Sequence, residues 1–380
     1  MRVLFISRGY PPFRGGTENY AREIYERLKP VNENKLITIR HPERQPRDDI
    51  IDVKAGKNKY LAFLKFWVSC IRKIRRSDAD VIHAITYPAG LCGILPKLFN
   101  GIPLVTTLHD IGVIEKGIIE VSKLAKLWKG FLQQVVCNFS DAIIVPSEKV
   151  KNDIIKYHGT KPGKIFVTDY GIDREVFNEN LEYGKIRKKL GIGKGPMLLF
   201  IGMFGPKKGL EYAIEAVSTL RQKFPDIKFV IGGPALDESY MEKLKQKVES
   251  LGLEKNVVFS GFIEQPELPY WFRDCDIYVD PTLYGMGYCF PCVEAAATGR
   301  PIVATKLLED IGVVKDGFNG TIIGYRDASQ ISSAVESLLS DPGKMEKFSE
   351  NSLKLAEKFD WNRTVEQTGS VYRAVTDHTP

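Results

Sequence analysis

The sequence predicts two doubly wound α/β domains, each built on a parallel sheet. Three observations carry this. The chain has 380 residues, and with domains of roughly 150–200 residues two are expected at this length. Short continuous apolar runs alternate with helical patterns, as βαβ units require when a parallel sheet is covered on both faces. The alternation lapses into polar sequence around residues 172–195 and then restarts.

In the first half, RVLFIS (2–7) is an apolar run closed by Gly and Pro, which reads as a buried strand. TENYAREIYERLK then sets Tyr20, Ala21, Ile24 and Leu28 on one helical face. DVIHAIT, PLVTTLH and DAIIVPS read as further strands with helical stretches between them. The charged stretch IDREVFNENLEYGKIRKKLGIGKG reads as a connection. Beyond it MLLFIG, IKFVIGG, NVVFSGF, DIYVDP and PIVAT read as strands, separated by helical patterns such as GLEYAIEAVSTLRQKF. The expected division is 1–175, a linker at 176–195, and 196–358. In such folds ligands bind at the carboxyl ends of the strands, and two facing domains would share a central cleft there.

Composition narrows the function. A hydrophobic content of 43% supports real cores, so the chain is expected to be globular. The net charge of +7 is spread along the chain and suits an anionic ligand or membrane surface; no basic arm or stacking platform argues for nucleic acid. The six cysteines lack a disulfide-scaffold spacing, and the first residues form a strand rather than a leader. These features suggest a reducing, cytoplasmic setting. No apolar run reaches the roughly 18–20 residues that cross a bilayer.

The chemistry is expected in loops. Gly15 and Gly16 precede a helix start, where backbone N–H groups and the positive helix end can approach a phosphate without a Cβ in the way. In the second half, Lys207 and Lys208 precede a helix near Gly209; cations are unfavourable there unless an anion is bound. Pro291 suits a first helical turn, which would place Glu294 in that turn, able to accept paired hydroxyl hydrogen bonds from a ribose. Gly299 and Pro301 read as the stop of that helix and the start of the next strand. His109 ends a strand beside Asp110 and is a candidate for hydrogen bonding to a substrate, whereas His83 lies inside a strand and reads as a core residue. The C-x-x-C of Cys289 and Cys292 has no second pair, which favours a structural role over zinc or redox chemistry. No metal site and no cofactor is expected.

Taken together, PPFRGGTENYAREIYERL, TTLHD, DAIIVPSEKV, GIDREVF, GPKKGLEYAIEA and PCVEAAATGRPIVAT resemble, almost end to end, the retaining glycosyltransferases of family 4, which have the GT-B fold. FDWNRTVEQTGSVYRAV resembles their closing helix, so 359–380 is expected to return to the N-terminal domain. The resemblance implies transfer of a sugar from a nucleotide-diphosphate donor, without a required metal, to a glycan, lipid-linked or other acceptor. It implies donor contacts at Gly15, Gly16, Lys208, Gly287, Tyr288 and Glu294, with Gly16 offering N–H to the phosphate, Lys208 on the diphosphate and Glu294 on the ribose. His109 would orient the transferred sugar. Two departures stand out: the family's arginine after the glycine of the second-domain first strand is Met203, and its first glutamate falls on Gly285 or Met286. These keep open a non-catalytic sugar-nucleotide binder or partner subunit, and, more distantly, a GT-B nucleotide-sugar epimerase.

On the acceptor side, KYLAFLKFWVSCIRKIRR mixes apolar bulk with basic residues at one end. It reads either as a helix packed on the sheet or as a surface helix that dips Phe63, Phe66 or Trp67 into an anionic membrane, peripherally on the inner face of the cell membrane, with KLAKLWKGFL enlarging the surface.

Overall fold

The computed structural model describes residues 1–13, 15–54, 59–111, 123–284 and 287–377. It divides into two units, Met1–Gly171 with Asp360–Pro380, and Ile172–Phe359.

In the first unit the described residues form a seven-stranded sheet of β1 (Arg2–Ile6), β2 (Glu33–Ile39), β3 (Ile50–Val53), β4 (Val81–Ile85), β5 (Leu104–Thr107), β6 (Ala142–Val145) and β7 (Ile165–Val167). The order is β3-β2-β1-β4-β5-β6-β7 and every pair is parallel. All five residues of β4 are buried, as a central strand covered on both faces requires. The helix Gly16–Leu28 buries Tyr20, Ala21, Ile24, Tyr25 and Leu28 on one face, and Lys59–Ile74 buries Phe66, Cys70 and Ile74.

His83 in β4 is a core residue. Its Nδ1 meets the Tyr372 hydroxyl at 2.6 Å and its Nε2 meets Thr107 Oγ1 at 2.7 Å, while burial pushes its pKa down to about 3, so the ring stays neutral. Tyr372 belongs to the helix Trp361–Thr376, which this bond fastens into the first unit. The start of that helix lies against Gly171, where a Cβ would come within 2.3 Å of the Trp361 nitrogen.

In the second unit the described residues form a six-stranded parallel sheet of β8 (Met197–Ile201), β9 (Lys228–Gly232), β10 (Val257–Gly261), β11 (Ile277–Asp280), β12 (Ile302–Thr305) and β13 (Gly320–Ile323), in the order β10-β9-β8-β11-β12-β13. The two units thus repeat one architecture, a doubly wound parallel sheet of Rossmann type.

The structure adds to the sequence reading in two places. Strands β2, β3, β7 and β13 have no counterpart in the sequence reading; β3, β7 and β13 are sheet edges of three or four residues, too short and too exposed for a clear pattern. Residues 176–195, read as a connection, are tied into the second unit. Asp274 accepts from the N–H groups of Gly184 (2.6 Å), Ile186 (2.6 Å) and Arg187 (3.1 Å), and the buried Arg187 guanidinium pairs with Asp276 at 2.6 Å. Phe177, Ile186 and Ile192 join the core of that unit.

Candidate functional site

Each sheet has a point where the strand order reverses, and there the loops on either side diverge and leave a crevice. In the first unit it lies between β1 and β4, in the second between β8 and β11. The candidate residues gather at both.

After β8 the chain makes a short 3-10 turn, Pro206–Lys208, and Gly209 caps the helix Leu210–Leu220 at φ 61. A Cβ at Gly209 would meet the Pro281 carbonyl oxygen at 2.6 Å, so only glycine lets this loop close on the one after β11. The Leu283 N–H donates to the Lys207 carbonyl at 2.8 Å and fixes the two loops together. In consequence Lys207 points to solvent while Lys208 is 8% exposed. Lys208 Nζ donates to Thr282 Oγ1 at 3.1 Å, and among the described residues no carboxylate pairs with it. Thr282 in turn donates through its N–H (3.1 Å) and its hydroxyl to Asp280 Oδ1. Sequence reasoning missed this Asp280–Thr282 support; its only local signal is an acid at a strand end followed by Pro-Thr.

The helix Phe290–Ala297 follows, with Cys289 as its N-cap and Pro291 at its second position. Glu294 is therefore its fifth residue, in the second turn rather than the first as the sequence suggested. Side chains on a helix slope toward its amino end, so the carboxyl still reaches back over the first turn. Glu294 is half-buried, and its carboxyl has no hydrogen-bond or ion-pair partner among the described residues. Loss of solvent pushes its pKa up from 4.5 to about 8. Gly287 is buried, and the half-buried Tyr288 packs edge-on against Phe290 (ring centroids 4.9 Å) and Phe359 (6.3 Å). Gly285 and Met286 lie outside the described residues. Met203 is 53% exposed, so its side chain takes no part in the core. Among the described residues one cluster offers metal-ligating atoms close together, Asp280 with Cys289 and Cys292.

In the first unit the helix Gly16–Leu28 starts at Gly15 with no side chain capping it, and Gly16 is exposed. The N–H groups of its first turn favour an anion, and the Glu18 carboxylate already takes a hydrogen bond from its own N–H there. The carboxylate of Glu18 fills the space beside two glycines: a Cβ at Gly9 or Gly15 would lie 2.3 or 2.4 Å from its oxygens. Burial raises the Glu18 pKa. Arg44, another residue the sequence did not point to, holds this loop from below. Its guanidinium donates to the carbonyls of Tyr10 (2.5 Å), Pro11 (2.9 Å) and Ile39 (3.1 Å) and to Asp52 Oδ1 (2.6 Å). At the carboxyl end of β4, Thr86 adopts φ 78 and ψ 157, a conformation costly for any residue but glycine and commonest where a site imposes it.

His109 follows β5. Its Nδ1 meets the Tyr170 hydroxyl at 2.7 Å, its ring packs against Tyr20 and Tyr170, and its buried Nε2 has no partner. Burial lowers its pKa to about 4. A neutral imidazole with one nitrogen held and the other open can form a directed hydrogen bond to a ligand at any physiological pH, but it is not a reservoir of positive charge.

Comparison with known proteins bears on family and fold. The chain matches the model for glycosyl transferases group 1 over residues 182–355 and that for Glycosyltransferase Family 4 over residues 14–176. D-inositol 3-phosphate glycosyltransferase 2 of Catenulispora acidiphila is 26% identical over 310 residues, covering 78% of this chain and 71% of that protein. Among solved structures, sucrose-phosphate synthase of Thermosynechococcus elongatus aligns with a TM-score of 0.87 at 19% identity over 99% of both chains. Anabaena HepE in complex with UDP-glucose aligns at 0.83 and 20% identity, over 98% of this chain and 100% of that one.

Proposed function

The chain belongs to the family 4 glycosyltransferases of GT-B fold, and from this premise we propose that it is a retaining, metal-independent hexosyltransferase using a nucleoside-diphosphate sugar. The observation that carries the reading is Lys208, a buried ammonium at a strand-order reversal that bonds to a hydroxyl and pairs directly with no carboxylate among the described residues. Burying a cation without a counter-ion is costly, and a diphosphate is the partner that would offset it. Glu294, equally short of partners, would take the two ribose hydroxyls of the same nucleotide.

This division suits the chemistry. Breaking the bond between the anomeric carbon and the phosphate oxygen leaves negative charge on the diphosphate. A fixed ammonium aimed at that oxygen stabilises the transition state more than the ground state. The exposed N–H groups of Gly16 and its neighbours would serve a phosphate in the same way, and His109 Nε2 would orient a sugar hydroxyl. With lysine and backbone dipoles meeting the leaving-group charge, no metal is required. The UDP-glucose complex of HepE supports uridine diphosphate as the first nucleotide to test.

We also propose a lipid-linked acceptor and peripheral contact with anionic membrane. The helix Lys59–Ile74 turns Phe66 into the core and ties Trp67 to the Leu91 carbonyl at 3.1 Å, so these two do not serve as membrane anchors. Leu61, Leu64 and Val68 are instead exposed on that helix, and Leu127, Trp128 and Phe131 on Lys123–Phe139. The former carries Lys65, Arg72 and Lys73, whose charge suits anionic headgroups. No helix among the described residues is long and apolar enough to cross a membrane.

The deciding experiment supplies a panel of nucleotide hexoses with lipid-linked and soluble acceptors, in EDTA, and reads the product anomer by NMR. Transfer with retained configuration supports the proposal. Donor binding without turnover on any acceptor would favour a non-catalytic member, the reading that Met203 keeps open.

A further inference from the structure

The fold sets the C-x-x-C motif, whose spacing favours a structural role, beside a buried carboxylate. Cys289 and Cys292 flank the amino end of the helix Phe290–Ala297, and their Sγ atoms lie 2.9 Å apart. That is about 0.9 Å beyond the ~2.05 Å of a disulfide. The Cys292 N–H donates to Cys289 Sγ at 3.4 Å, which offsets part of the rise in the Cys289 pKa that burial and the adjacent Asp280 impose. Both thiols face the buried Asp280, with Cys289 Sγ 3.4 Å and Cys292 Sγ 4.0 Å from Oδ2. The other oxygen of this carboxylate holds Thr282, the hydroxyl partner of Lys208.

We propose that Cys289 and Cys292 are a redox-active dithiol that closes to a disulfide and thereby weakens nucleotide binding at Lys208. The second half of this statement rests on the reading of Lys208 as the diphosphate ligand. Both thiols are 2% exposed or less, which favours a small oxidant, hydrogen peroxide, over a bulky disulfide. Asp280 takes the proton from Cys289, and the thiolate attacks one peroxide oxygen. The O–O bond breaks, giving a sulfenic acid and hydroxide, which takes up the proton as water. Cys292 sulfur, giving its proton to the departing hydroxide, then attacks Cys289 Sγ. The S–S bond forms, the S–O bond breaks, and a second water leaves. In sum two thiols lose two electrons and two protons to one peroxide.

Closure removes both S–H donors from Asp280 Oδ2 while leaving its charge. The nearest remaining compensation is the Thr282–Lys208 pair, so the ammonium is drawn toward Asp280 and away from a diphosphate. The same three ligand-bearing residues could be thought of as a zinc site. The sulfur separation is narrow for two ligands of one ion, and the Lys208 ammonium nearby would repel a second cation.

The test treats reduced protein with hydrogen peroxide, caps remaining thiols under denaturing conditions and maps the peptides by mass. Loss of two cappable thiols at Cys289 and Cys292, reversed by dithiothreitol and abolished in both Cys289→Ser and Cys292→Ser, is the expected result. Calorimetry with UDP should then show affinity about tenfold weaker in the oxidised protein and unaffected by peroxide in either serine variant. The proposal is overturned if all six cysteines still cap or if the lost pair is Cys70 and Cys92, which also touch. It is overturned equally if the purified protein carries stoichiometric zinc that shields both thiols. A mapped disulfide with unchanged UDP affinity refutes the coupling. If the reduced protein binds neither UDP nor any other nucleoside diphosphate, the reading of Lys208 fails, whereas the peptide map still decides the dithiol.

Discussion

Glu294→Gln should stabilise the empty protein, and the gain should grow with pH. The carboxyl of Glu294 is held at about 8 in the folded chain against an ordinary 4.5, because burial penalises its charged form. A carboxyl whose pKa is raised on folding contributes stability that is fully present below the unfolded value. That contribution is lost as pH rises through the folded value. The window therefore opens near pH 4.5 and closes a little above pH 8. At about 1.36 kcal/mol per unit of displacement the whole shift would be worth roughly 4–5 kcal/mol. Glu294 is only half-buried, and water reaching its oxygens reduces this to about 2–3 kcal/mol. Glutamine cannot titrate and has nearly the same shape. The variant should match the parent below pH 4, exceed it by a little under about 1 kcal/mol at pH 5 and by the full amount at pH 9. Paired urea denaturation at each pH, compared as a difference, cancels the titration of the rest of the chain. A saturating nucleoside diphosphate should reverse the order at pH 9, since ribose hydroxyls stabilise the charged carboxylate. A difference that is flat from pH 5 to pH 9 would refute the reasoning, and one that favours glutamate in the empty protein would mean that the carboxylate has a cationic partner.

Four further outcomes follow from the same geometry. Lys208→Ala should weaken nucleoside-diphosphate binding by about 1.5–3 kcal/mol in calorimetry, the range of a charge-assisted hydrogen bond, whereas the exposed Lys207 should tolerate alanine; equal losses would remove Lys208 from the site. Met203→Arg should tighten binding several-fold without loss of stability, because the side chain at 203 is already in solvent; unchanged affinity would mean that the loop aims it elsewhere. Arg44→Ala should destabilise the first unit by about 3 kcal/mol and accelerate hydrogen exchange in the loop before Gly16; protection unchanged there would show the loop to be held by other contacts. Liposome co-sedimentation should rise with anionic lipid, fall with salt and drop in Leu64→Asp and Trp128→Asp; indifference to lipid charge would refute membrane docking.

The strands that the sequence made legible are those buried on both faces, β1, β4, β5 and β8 among them, because a continuous apolar run reports burial directly. Edge strands such as β3 and β13 did not show, since half their residues meet solvent and their length carries little pattern. The contacts of the segment 176–195 were hidden for a different reason. Its charges look like solvated linker in sequence, yet Arg187 finds Asp276 and its backbone finds Asp274 roughly ninety residues away, and nothing local announces such a pairing. At the site, residue types were legible and their environments were not. The sequence could nominate two lysines, but only the fold separates the solvent-facing Lys207 from the buried Lys208. It could nominate Glu294, but not the missing partners that move its pKa. Arg44, Glu18 and the Asp280–Thr282 support act through contacts between loops and could not be read from spacing at all.

The buried charged groups of the second unit share a physical logic. Lys208 is a cation with no directly paired carboxylate, and Glu294 is a half-buried acid without a cation. A chain selected for stability alone would pair them with neighbours or replace them, since unpaired buried charge is among the more costly features a fold can hold. Each is instead supported from behind, Lys208 by Thr282 and Asp280, and Glu294 by the helix that carries it, so that the open side of each group faces no protein partner. Such an arrangement lowers the reorganisation needed when a ligand arrives, because the polar groups are already in place and unsolvated. It also predicts that stability and binding oppose one another at these two positions: substitutions that stabilise the empty chain, as Glu294→Gln should at high pH, ought to be those that lose the nucleotide. Residues such as Arg44 or Arg187, whose polar atoms are answered within the fold, should show the reverse, with stability falling first.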